Sequence, residues 1–331
     1  MSKLPAIADV LEARERLKGR AVVTPLIESP ALNALAGGRV LIKAECLQRT
    51  GSFKFRGAWN CISRLAPDKA KGGVVAYSSG NHAQGVAAAA QMMKLPALIV
   101  MPTDTPEIKK ANTRSYGAEI VTYDRNREDR EGIANGIARE RGAVIVPPFD
   151  HAQIIAGQGT SGLEAIEQAA ERDVRLDAVL IPAGGGGLTA GNALAFSAQS
   201  PATAVHTVEP ENFDDHARSL ESGKRERNAR ASGSICDALL SPAPGELTFA
   251  INQPRLAQGL VVSDAEVKRA MVFAFEHLKL VIEPGGAVGL AAVLAGKVPT
   301  QGRNIAVIAS GGNVDPALFA EVLGNRQLPT P

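Results

Sequence analysis

Short apolar runs alternate with helical patterns in the first half of the chain, between residues 73 and 147. Apolar, β-branched runs bounded by glycine or proline predict strands, whereas apolar positions three to four residues apart predict helices. The predicted strands are residues 73–77, 97–101, 119–123 and 144–146, and the predicted helices are residues 81–94, 106–116 and 127–141. This alternation predicts βαβ units, with a parallel sheet covered by helices on both faces.

The alternation resumes with longer elements after residue 151. We expect helices at residues 162–171 and 188–198, and strands at residues 178–182 and 204–208. A polar stretch over residues 212–231 precedes two further helices, 264–278 and 286–294, and a last strand, 304–309. The predicted fold class is therefore α/β, with two open, mostly parallel twisted sheets flanked by helices.

The length of the chain fits this architecture. Its 331 residues are 45% hydrophobic and 21% charged, which suits about two globular domains of roughly 150 residues each. We expect a small α/β domain at residues 73–150. The large domain is expected to combine residues 1–68 and 151–331.

Charge and cysteine content narrow the choice of partner and compartment. Lysine and arginine number 36 against 34 acidic residues, so no large basic surface points to nucleic acid or an anionic membrane, and a small-molecule ligand is favoured. Cys46, Cys61 and Cys236 form no C-x-x-C pair, so we expect reduced thiols in a cytoplasmic protein. The N-terminal pattern differs from a signal peptide, and no apolar run is long enough to span a membrane.

Lys54 is the first candidate for chemistry. It lies between Phe53 and Phe55, with Arg56 close by. An amine must lose its proton to act as a nucleophile, and apolar burial or a neighbouring cation lowers the pKa of a lysine. In isolation such a lysine is more often a surface residue, so its interpretation depends on the segments that accompany it.

Four successive glycines, Gly184 to Gly187, follow an apolar strand and precede a helix. Free backbone N–H groups at a helix N-terminus bind anions, and the loop lacks the Gly-Lys-Ser/Thr of a triphosphate-binding P-loop. We therefore predict a phosphate site, with a flexible turn as the alternative. An NAD-binding oxidoreductase is a further alternative, because Gly185-x-Gly187-x-x-Ala190 fits the relaxed dinucleotide pattern and Glu209 follows about 20 residues later.

Two polar turns also follow predicted strands. Residues 78–82 (Ser-Ser-Gly-Asn-His) open a helix, where backbone N–H groups and polar side chains can hold a carboxylate, although ordinary N-capping would use the same residues. Residues 310–313 (Ser-Gly-Gly-Asn) follow the last strand. A serine hydroxyl there can face a ring nitrogen, and a plain turn is the alternative.

Together these segments resemble the fold type II enzymes that use pyridoxal 5′-phosphate (PLP), and among them the threonine/serine dehydratase and serine racemase family. The resemblance covers nearly the whole chain. It includes Thr24-Pro25-Leu26, the stretch from Glu45 to Ala58 that contains Lys54, the stretch from Ser78 to Gly85, the four glycines, Glu283-Pro284-x-Gly286-Ala287, and residues 310–313.

The resemblance implies a role for each segment. Lys54 is the lysine that forms the Schiff base with PLP and also the base that takes the Cα proton, after which the β-hydroxyl leaves and a 2-oxo acid and ammonia form. Ser310 faces the pyridine nitrogen, and a neutral serine there suits elimination. The implied cofactor-binding residues are Phe53, Lys54, Asn81, Gly184, Gly185, Gly186, Gly187 and Ser310. The implied substrate-binding residues are Ser78, Ser79, Gly80, Asn81 and His82.

The predicted activity is that of an L-threonine/L-serine ammonia-lyase, with 3-hydroxyaspartate dehydratase and serine racemase as alternatives. Ser79 is the second candidate catalytic residue. Serine racemases resemble this chain in having serine there, and its hydroxyl can act on the face of Cα opposite the lysine. The following Ala83-Gln84-Gly85 is more similar to the dehydratases, so racemisation ranks second.

The resemblance also implies a metal site and an assembly. Glu209, Phe213 and Asp215 resemble the place where serine racemases bind a divalent cation through two carboxylates and a backbone carbonyl. Oxygen ligands suit Mg²⁺ or Ca²⁺, and a solvated acidic loop is the alternative. The family also implies a homodimer. Arg130 resembles an arginine near the racemase substrate pocket, but its charged surroundings are typical of a solvent-facing helix, so we assign it no role.

Overall fold

The computed structural model describes residues 4–105, 107–124 and 127–325. The predicted helix start at Pro106 and the outer ends of the large domain lie outside these described residues. The described strands form one six-stranded and one four-stranded sheet, both flanked by helices. The predicted fold class is thereby confirmed.

The strands come in chain order as β1 (Leu26–Glu28), β2 (Arg39–Lys43), β3 (Val74–Tyr77), β4 (Ala97–Pro102), β5 (Glu119–Tyr123), β6 (Val144–Ile145), β7 (Ala178–Pro182), β8 (Ala204–Pro210), β9 (Gln258–Val262) and β10 (Asn304–Ile308). The large sheet has the order β1-β2-β10-β7-β8-β9, and β1 runs antiparallel to β2 while the other pairs are parallel. The small sheet, β5-β4-β3-β6, is parallel. Burial on both faces explains the continuous apolar runs of these strands.

The helices are α1 (Ile7–Leu17), α2 (Pro30–Ala36), α3 (Lys54–Ile62), α4 (Pro67–Ala70), α5 (Asn81–Met93), α6 (Glu107–Ser115), α7 (Arg130–Arg141), α8 (Ala152–Ala170), α9 (Gly187–Gln199), α10 (Asp215–Ser222), α11 (Glu246–Asn252), α12 (Asp264–Phe273), α13 (Pro284–Leu294) and α14 (Pro316–Gly324). Apolar residues of α8 and α9 form a core with one face of the large sheet. Those of α12 and α13 form a core with the other face. Helices α3 and α5 pack on the small sheet.

Some elements differ from their predictions. The helix expected at residues 162–171 begins at Ala152, after His151, whose ring accepts a hydrogen bond from the Gln153 N–H. Its first turns contain Gly157 and Gly159, which pack directly on the backbone of neighbouring helices and so leave no apolar stripe in the sequence. The polar stretch at residues 212–231 contains α10, and residues 274–278 of the helix expected at 264–278 form a π-turn. Strand β9 was not predicted.

The sheets bring the predicted site segments to the carboxyl ends of parallel strands, where ligands of α/β proteins bind. Residues 78–82 follow β3, the glycines follow β7, and residues 310–313 follow β10. The strands between residues 74 and 145 all belong to the small sheet, and the proposed domain boundaries stay a prediction. The three cysteines are buried and unpaired. None of the described helices combines the length and apolarity needed to cross a bilayer.

Candidate active site

One pocket collects all the residues predicted to bind cofactor or substrate. Its walls include Phe53, Lys54, Ser78, Ser79, Gly80, Asn81, His82, Gly184, Gly185, Gly186, Gly187 and Ser310. These residues come from separate loops and helix ends of the chain. Glu209, Phe213 and Asp215 do not line this pocket and form a separate group.

Lys54 is the first residue of α3, and its amine faces the pocket. The Nζ donates a hydrogen bond to the Pro148 carbonyl oxygen at 2.8 Å and lies 5.2 Å from the centre of the Phe53 ring. Burial lowers the pKa of Lys54 to about 8, while the nearby Glu283 carboxylate opposes this shift. With this pKa about a tenth of the amine is unprotonated at pH 7, far more than for an exposed lysine with its pKa of about 10.4. An unprotonated amine is what a nucleophile or base requires.

Arg56 does not act on Lys54 in the way that its sequence position suggested. Its guanidinium is fully buried and donates to both carboxylate oxygens of Glu45 and of Glu164, each at 2.7 Å. These carboxylates neutralise the guanidinium, so the low pKa of Lys54 comes from burial and not from this cation. Arg56 instead fixes the first turn of α3.

The four glycines turn sharply from β7 into α9. Gly186 has a φ of +88°, and a Cβ added at Gly185 would lie only 2.4 Å from the Phe149 ring. Side chains are therefore excluded where the loop bends. Within the described chain, the backbone N–H groups of residues 184–187 find no acceptor. Such free N–H groups at the start of a helix form a site for an anion.

The turn at residues 78–82 presents a second free helix start. Helix α5 follows Gly80 without a side-chain capping bond, so ordinary N-capping by serine or asparagine does not occur here. The Ser78 hydroxyl instead accepts from the Gly80 N–H at 3.3 Å. The first N–H groups of α5 therefore stay available for a carboxylate.

His82 and Asn81 differ in how their side chains are used. The His82 ring is buried, and its Nε2 donates to the Val146 carbonyl oxygen at 2.8 Å. Burial and the neighbouring Lys54 amine lower the pKa of His82 to about 3, so the ring is neutral. The Asn81 amide donates to Glu283 Oε1 at 2.5 Å and accepts from the Asn313 amide at 2.7 Å. Nε2 of His82 is thus committed to Val146, while its Nδ1 has no partner among the described residues. Asn81 belongs to a polar network in the pocket.

Ser310 joins the end of β10 to the helix that carries Lys54. Its carbonyl oxygen accepts from the Phe53 N–H at 3.1 Å. Its hydroxyl lines the pocket and has no hydrogen-bond partner in the part of the chain that the structure describes. An uncommitted hydroxyl at this position is able to bond a ligand atom.

Several residues that line the pocket were not assigned a role from the sequence, among them the charged residues Glu283, Lys109 and Asp237. Glu283 is buried, and burial together with the charge of Asp237 raises its pKa to about 7. Lys109, on α6, forms a 2.8 Å ion pair with Asp237. Glu283 was visible as part of a motif, but no local pattern distinguishes Lys109 from the other charges of its solvent-facing helix.

Arg130 also lines the pocket, although its surroundings suggested a solvent-facing helix. Its guanidinium lies 5.5 Å from the centre of the Tyr77 ring. It forms no ion pair with another described side chain. Two cationic side chains, Lys109 and Arg130, therefore line the pocket together with Asp237, whose carboxylate balances the charge of Lys109.

The expected metal ligands form a buried acidic pair. Glu209 accepts the N–H groups of His216 and Ala217, both at 2.8 Å. Asp215 accepts from Asn228, but its second oxygen is buried without a partner in the described chain. Burial and the Asp215 charge raise the pKa of Glu209, and burial raises the pKa of Asp215 to about 7. Among the residues described, no group of three or more His, Cys, Asp or Glu side chains is arranged to hold a metal ion, so any cation here would need the Phe213 carbonyl as well.

The pocket fits PLP in three respects. Lys54 supplies an amine of low pKa for the carbonyl carbon, the glycine loop supplies free N–H groups for the phosphate, and Ser310 supplies an uncommitted hydroxyl for the ring. When bound, PLP withdraws electrons from the Cα of an attached amino acid. Glu209 does not line this pocket, so it does not stand beside the glycine loop as the ribose ligand that the NAD alternative expected.

Comparison with known proteins gives the same assignment. The profile of the family described as "Pyridoxal-phosphate dependent enzyme" matches residues 18–311, and the chain belongs to this family. An L-threo-3-hydroxyaspartate ammonia-lyase from a Pseudomonas species is 44% identical, over 97% of this chain and 99% of the relative. The crystal structure of a threonine deaminase from T.th. matches with a TM-score of 0.88 and 44% identity, covering 94% of this chain and 99% of the other. The maize serine racemase structure matches with a TM-score of 0.91 and 35% identity, covering 97% and 98%.

Within this family the protein groups with the PLP-dependent ammonia-lyases and serine racemases. The sequence-based predictions of the family, the cofactor PLP and an enzyme of the ammonia-lyase type are confirmed. The relatives are named for different reactions of related amino acids, so their names do not determine the substrate of this enzyme.

Proposed function

We propose that this enzyme dehydrates hydroxylated amino acids with release of ammonia and that it prefers L-threo-3-hydroxyaspartate to L-threonine and L-serine. The observation that carries the preference is the pair of cationic side chains, Lys109 and Arg130, on the pocket wall. The sequence alone favoured L-threonine and L-serine. A second substrate carboxylate would gain a charge-assisted hydrogen bond from these cations, whereas the methyl group of threonine would not.

The remaining residues take complementary roles in this proposal. Lys54 attaches the cofactor and takes the Cα proton. The N-terminus of α5, from Ser78 to His82, holds the α-carboxylate, and the glycine loop holds the cofactor phosphate. Asn81 and Ser310 orient the cofactor ring. Glu283, whose pKa is raised to about 7, is a further group in the pocket able to hold a proton at neutral pH.

Substrate preference tests the proposal directly. Replacing Lys109 by alanine should lower kcat/KM for L-threo-3-hydroxyaspartate about 10- to 100-fold, the value of one charge-assisted hydrogen bond. The value for L-serine should change by less than about threefold, since serine has no second carboxylate. A coupled assay of 2-oxo acid release measures both.

Neighbouring residues provide the controls for this experiment. Lys110 lies beside Lys109 on α6 but donates to the Thr103 carbonyl oxygen, so Lys110→Ala should leave the preference intact. Asp237→Asn removes the carboxylate that competes for Lys109 and should raise the preference for the dicarboxylic substrate. Equal losses for both substrates in Lys109→Ala would contradict the proposed preference.

Racemisation is a second activity, favoured by the position of Ser79 on the pocket wall. Its hydroxyl forms no hydrogen bond with the described residues, so it is free to exchange a proton with Cα. In Ser79→Ala, the ratio of D-serine to 2-oxo acid formed from L-serine should fall at least about tenfold. Chiral chromatography measures this ratio, and Ser63→Ala, outside the pocket, is the control. An unchanged ratio in Ser79→Ala would exclude Ser79 as the second acid–base group.

We also propose that Glu209, Asp215 and the Phe213 carbonyl bind Mg²⁺ or Ca²⁺. The unpartnered oxygen of Asp215 and the raised pKa of Glu209 support this site. Removing the cation with EDTA should lower the melting temperature by about 5 °C, and added Ca²⁺ should restore it, because a ligand of the folded state stabilises that state. Asp215→Asn should abolish this difference, whereas Asp214→Asn, which loses the Arg218 contact but keeps both proposed ligand carboxylates, should retain it. An EDTA effect of the same size in Asp215→Asn would rule out this site.

We also propose that the protein forms a homodimer and is located in the cytoplasm. The exposed apolar residues Val22, Val23 and Leu47 support the dimer. Val22 donates its N–H to the side chain of Gln48, which brings Val22 and Leu47 onto one surface where a second copy could bury them. The unpaired cysteines support the cytoplasmic location.

A further inference from the structure

A chain of side-chain hydrogen bonds joins the turn before Lys54 to the first residue of α5. The Asn313 Nδ2 donates to the Thr50 carbonyl oxygen and to Asn81 Oδ1, both at 2.7 Å. The Asn81 Nδ2 in turn donates to Glu283 Oε1 at 2.5 Å. Asn81, Glu283 and Asn313 all line the pocket. These bonds therefore connect three separate segments of the chain at the candidate cofactor site.

The Thr50 carbonyl fixes the direction of every bond in this chain. A carbonyl oxygen can only accept, so the Asn313 atom that faces Thr50 must be the amide nitrogen. The same nitrogen faces Asn81, which therefore presents its oxygen to Asn313. The nitrogen of Asn81 is left facing the Glu283 carboxylate, which accepts. Rotating the Asn81 amide by half a turn would set two N–H groups against each other at Asn313 and two oxygens against each other at Glu283.

The backbone around Thr50 holds the Asn313 side chain in place. Thr50 is β-branched and yet has a φ of +62°, a strained conformation that the surrounding contacts must support. Asn313 supplies one contact at the Thr50 carbonyl, and the Gly312 N–H donates to the next carbonyl, that of Gly51, at 2.9 Å. The Asn313 amide also packs on Gly51, where an added Cβ would lie 2.5 Å from its Oδ1. The Asn313 amide is therefore fixed by the same turn that it supports.

Glu283 is fixed on the other side of Asn81. Its N–H donates to the Gly311 carbonyl oxygen at 3.0 Å, and a Cβ at Gly311 would collide with its carboxylate. With Oδ1 bonded to Asn313 and one N–H bonded to Glu283, the Asn81 amide keeps one N–H that has no acceptor in the described part of the chain. That N–H is available to an oxygen of a ligand in the pocket.

We propose that Asn313 and Glu283 are positioning residues that hold the Asn81 amide with its remaining N–H directed at the ring oxygen of bound PLP. The inference rests on the PLP site proposed above and adds how Asn81 is oriented in it. An N–H can only donate, so its bond favours the ionised ring oxygen over the protonated one. The two forms of the ring absorb in the visible and in the near-ultraviolet, respectively. The ratio of these two bands therefore reports the bond from Asn81.

The absorption spectrum of the holoenzyme tests this orientation without an activity assay. Asn313→Asp puts carboxylate oxygens in place of the N–H groups, so the Asn81 amide must rotate and its N–H is no longer directed at the ring. The ratio of the visible to the near-ultraviolet band should fall at least about tenfold, the value of one hydrogen bond to a charged oxygen. Asn135→Asp, the same change at an exposed position of α7, should leave the ratio as in the wild type.

Two replacements of Glu283 isolate its role as an acceptor. Glu283→Gln keeps an oxygen that can accept from Asn81 and should not lower the band ratio. Glu283→Leu has no acceptor, and its ratio should lie at least about fivefold below that of Glu283→Gln. Both variants remove the same negative charge, so the difference between them measures the hydrogen bond to Asn81 alone.

A double variant distinguishes orientation of Asn81 from damage to the turn at Thr50. In the proposal, Asn313 acts on the cofactor ring only through Asn81. When Asn81 is already replaced by alanine, Asn313→Asp should therefore change the band ratio less than about twofold. An equally large effect of Asn313→Asp in both backgrounds would mean that the turn, and not Asn81, carries it.

The possible failures are distinguishable. A wild-type protein that forms no visible band with PLP would overturn the proposed function together with this inference. A wild-type band whose ratio is unchanged in Asn313→Asp would overturn the inference alone. If Asn313→Asp does not fold, the two Glu283 variants decide, because equal band ratios in Glu283→Gln and Glu283→Leu overturn the positioning of Asn81.

Discussion

Alanine in place of Lys54 should lower kcat/KM for every hydroxy-amino acid by about 10⁴-fold or more, the upper range for loss of a catalytic base. It should also remove the visible absorbance of the bound cofactor. Both effects follow because one amine attaches PLP and takes the Cα proton in the proposed function. The exposed Lys279 provides a control, since Lys279→Ala should keep both properties. Absorbance that survives in Lys54→Ala would refute the assignment of the lysine.

The pH dependence of cofactor attachment tests the same residue in the wild type. Burial lowers the pKa of Lys54 to about 8, so the amine is increasingly protonated and unreactive as the pH falls below 8. When PLP is added to the cofactor-free protein, the rate at which visible absorbance forms should therefore rise with pH and level off above about 8. A lysine with the ordinary pKa would instead give a rate that keeps rising to about pH 10.4.

Local sequence patterns predicted the elements whose structure is determined by residues close together in the chain. The apolar runs of β4 and β7 are continuous because both faces of a parallel strand are buried, and they were found in the sequence at nearly their observed bounds. The glycine loop and the turn at residues 78–82 were found because each follows such a strand. Their meeting in one pocket follows from neither sheet alone, because the turn follows β3 of the small sheet and the glycine loop follows β7 of the large sheet.

Contacts between distant residues could not be obtained in this way. Lys109 and Asp237 pair across 128 positions, and Asn81 and Glu283 across 202. The hydrophobic periodicity of the sequence gives no information about pairs so far apart in the chain. The start of α8 was misplaced for a related reason, since its first turns pack through glycine against other helices and carry no apolar stripe.

Arg56 shows how far sequence proximity can mislead. It lies two positions from Lys54, yet its partners are Glu45 and Glu164, 11 and 108 positions away. Lys43 pairs with Glu164 in the same buried network. These four charges fix α3 on α8 and the end of β2, so they set the position of the helix that starts with Lys54.

Methionine in place of Arg56 should lower the free energy of unfolding by about 3–5 kcal/mol, because Glu45 would be left buried without its counter-charge. Chemical denaturation with PLP bound and with PLP removed measures the loss. Arg64→Met is the matched control, since Arg64 pairs with Glu12 at the surface and such pairs contribute about 1 kcal/mol or less.

The double variant Arg56→Met with Glu45→Leu distinguishes two causes of the lost stability: the missing attraction between the two charges and the cost of burying Glu45 without a counter-charge. If the cost of the single variant comes from the unpaired Glu45, removing that carboxylate as well should recover much of the stability, because apolar residues often replace buried ion pairs at little cost. A double variant no more stable than Arg56→Met would mean that Glu164 and Lys43 carry the penalty instead. With either outcome, the loss of Arg56 should accelerate PLP release, since the buried network holds the turn of α3 from which Lys54 reaches the cofactor.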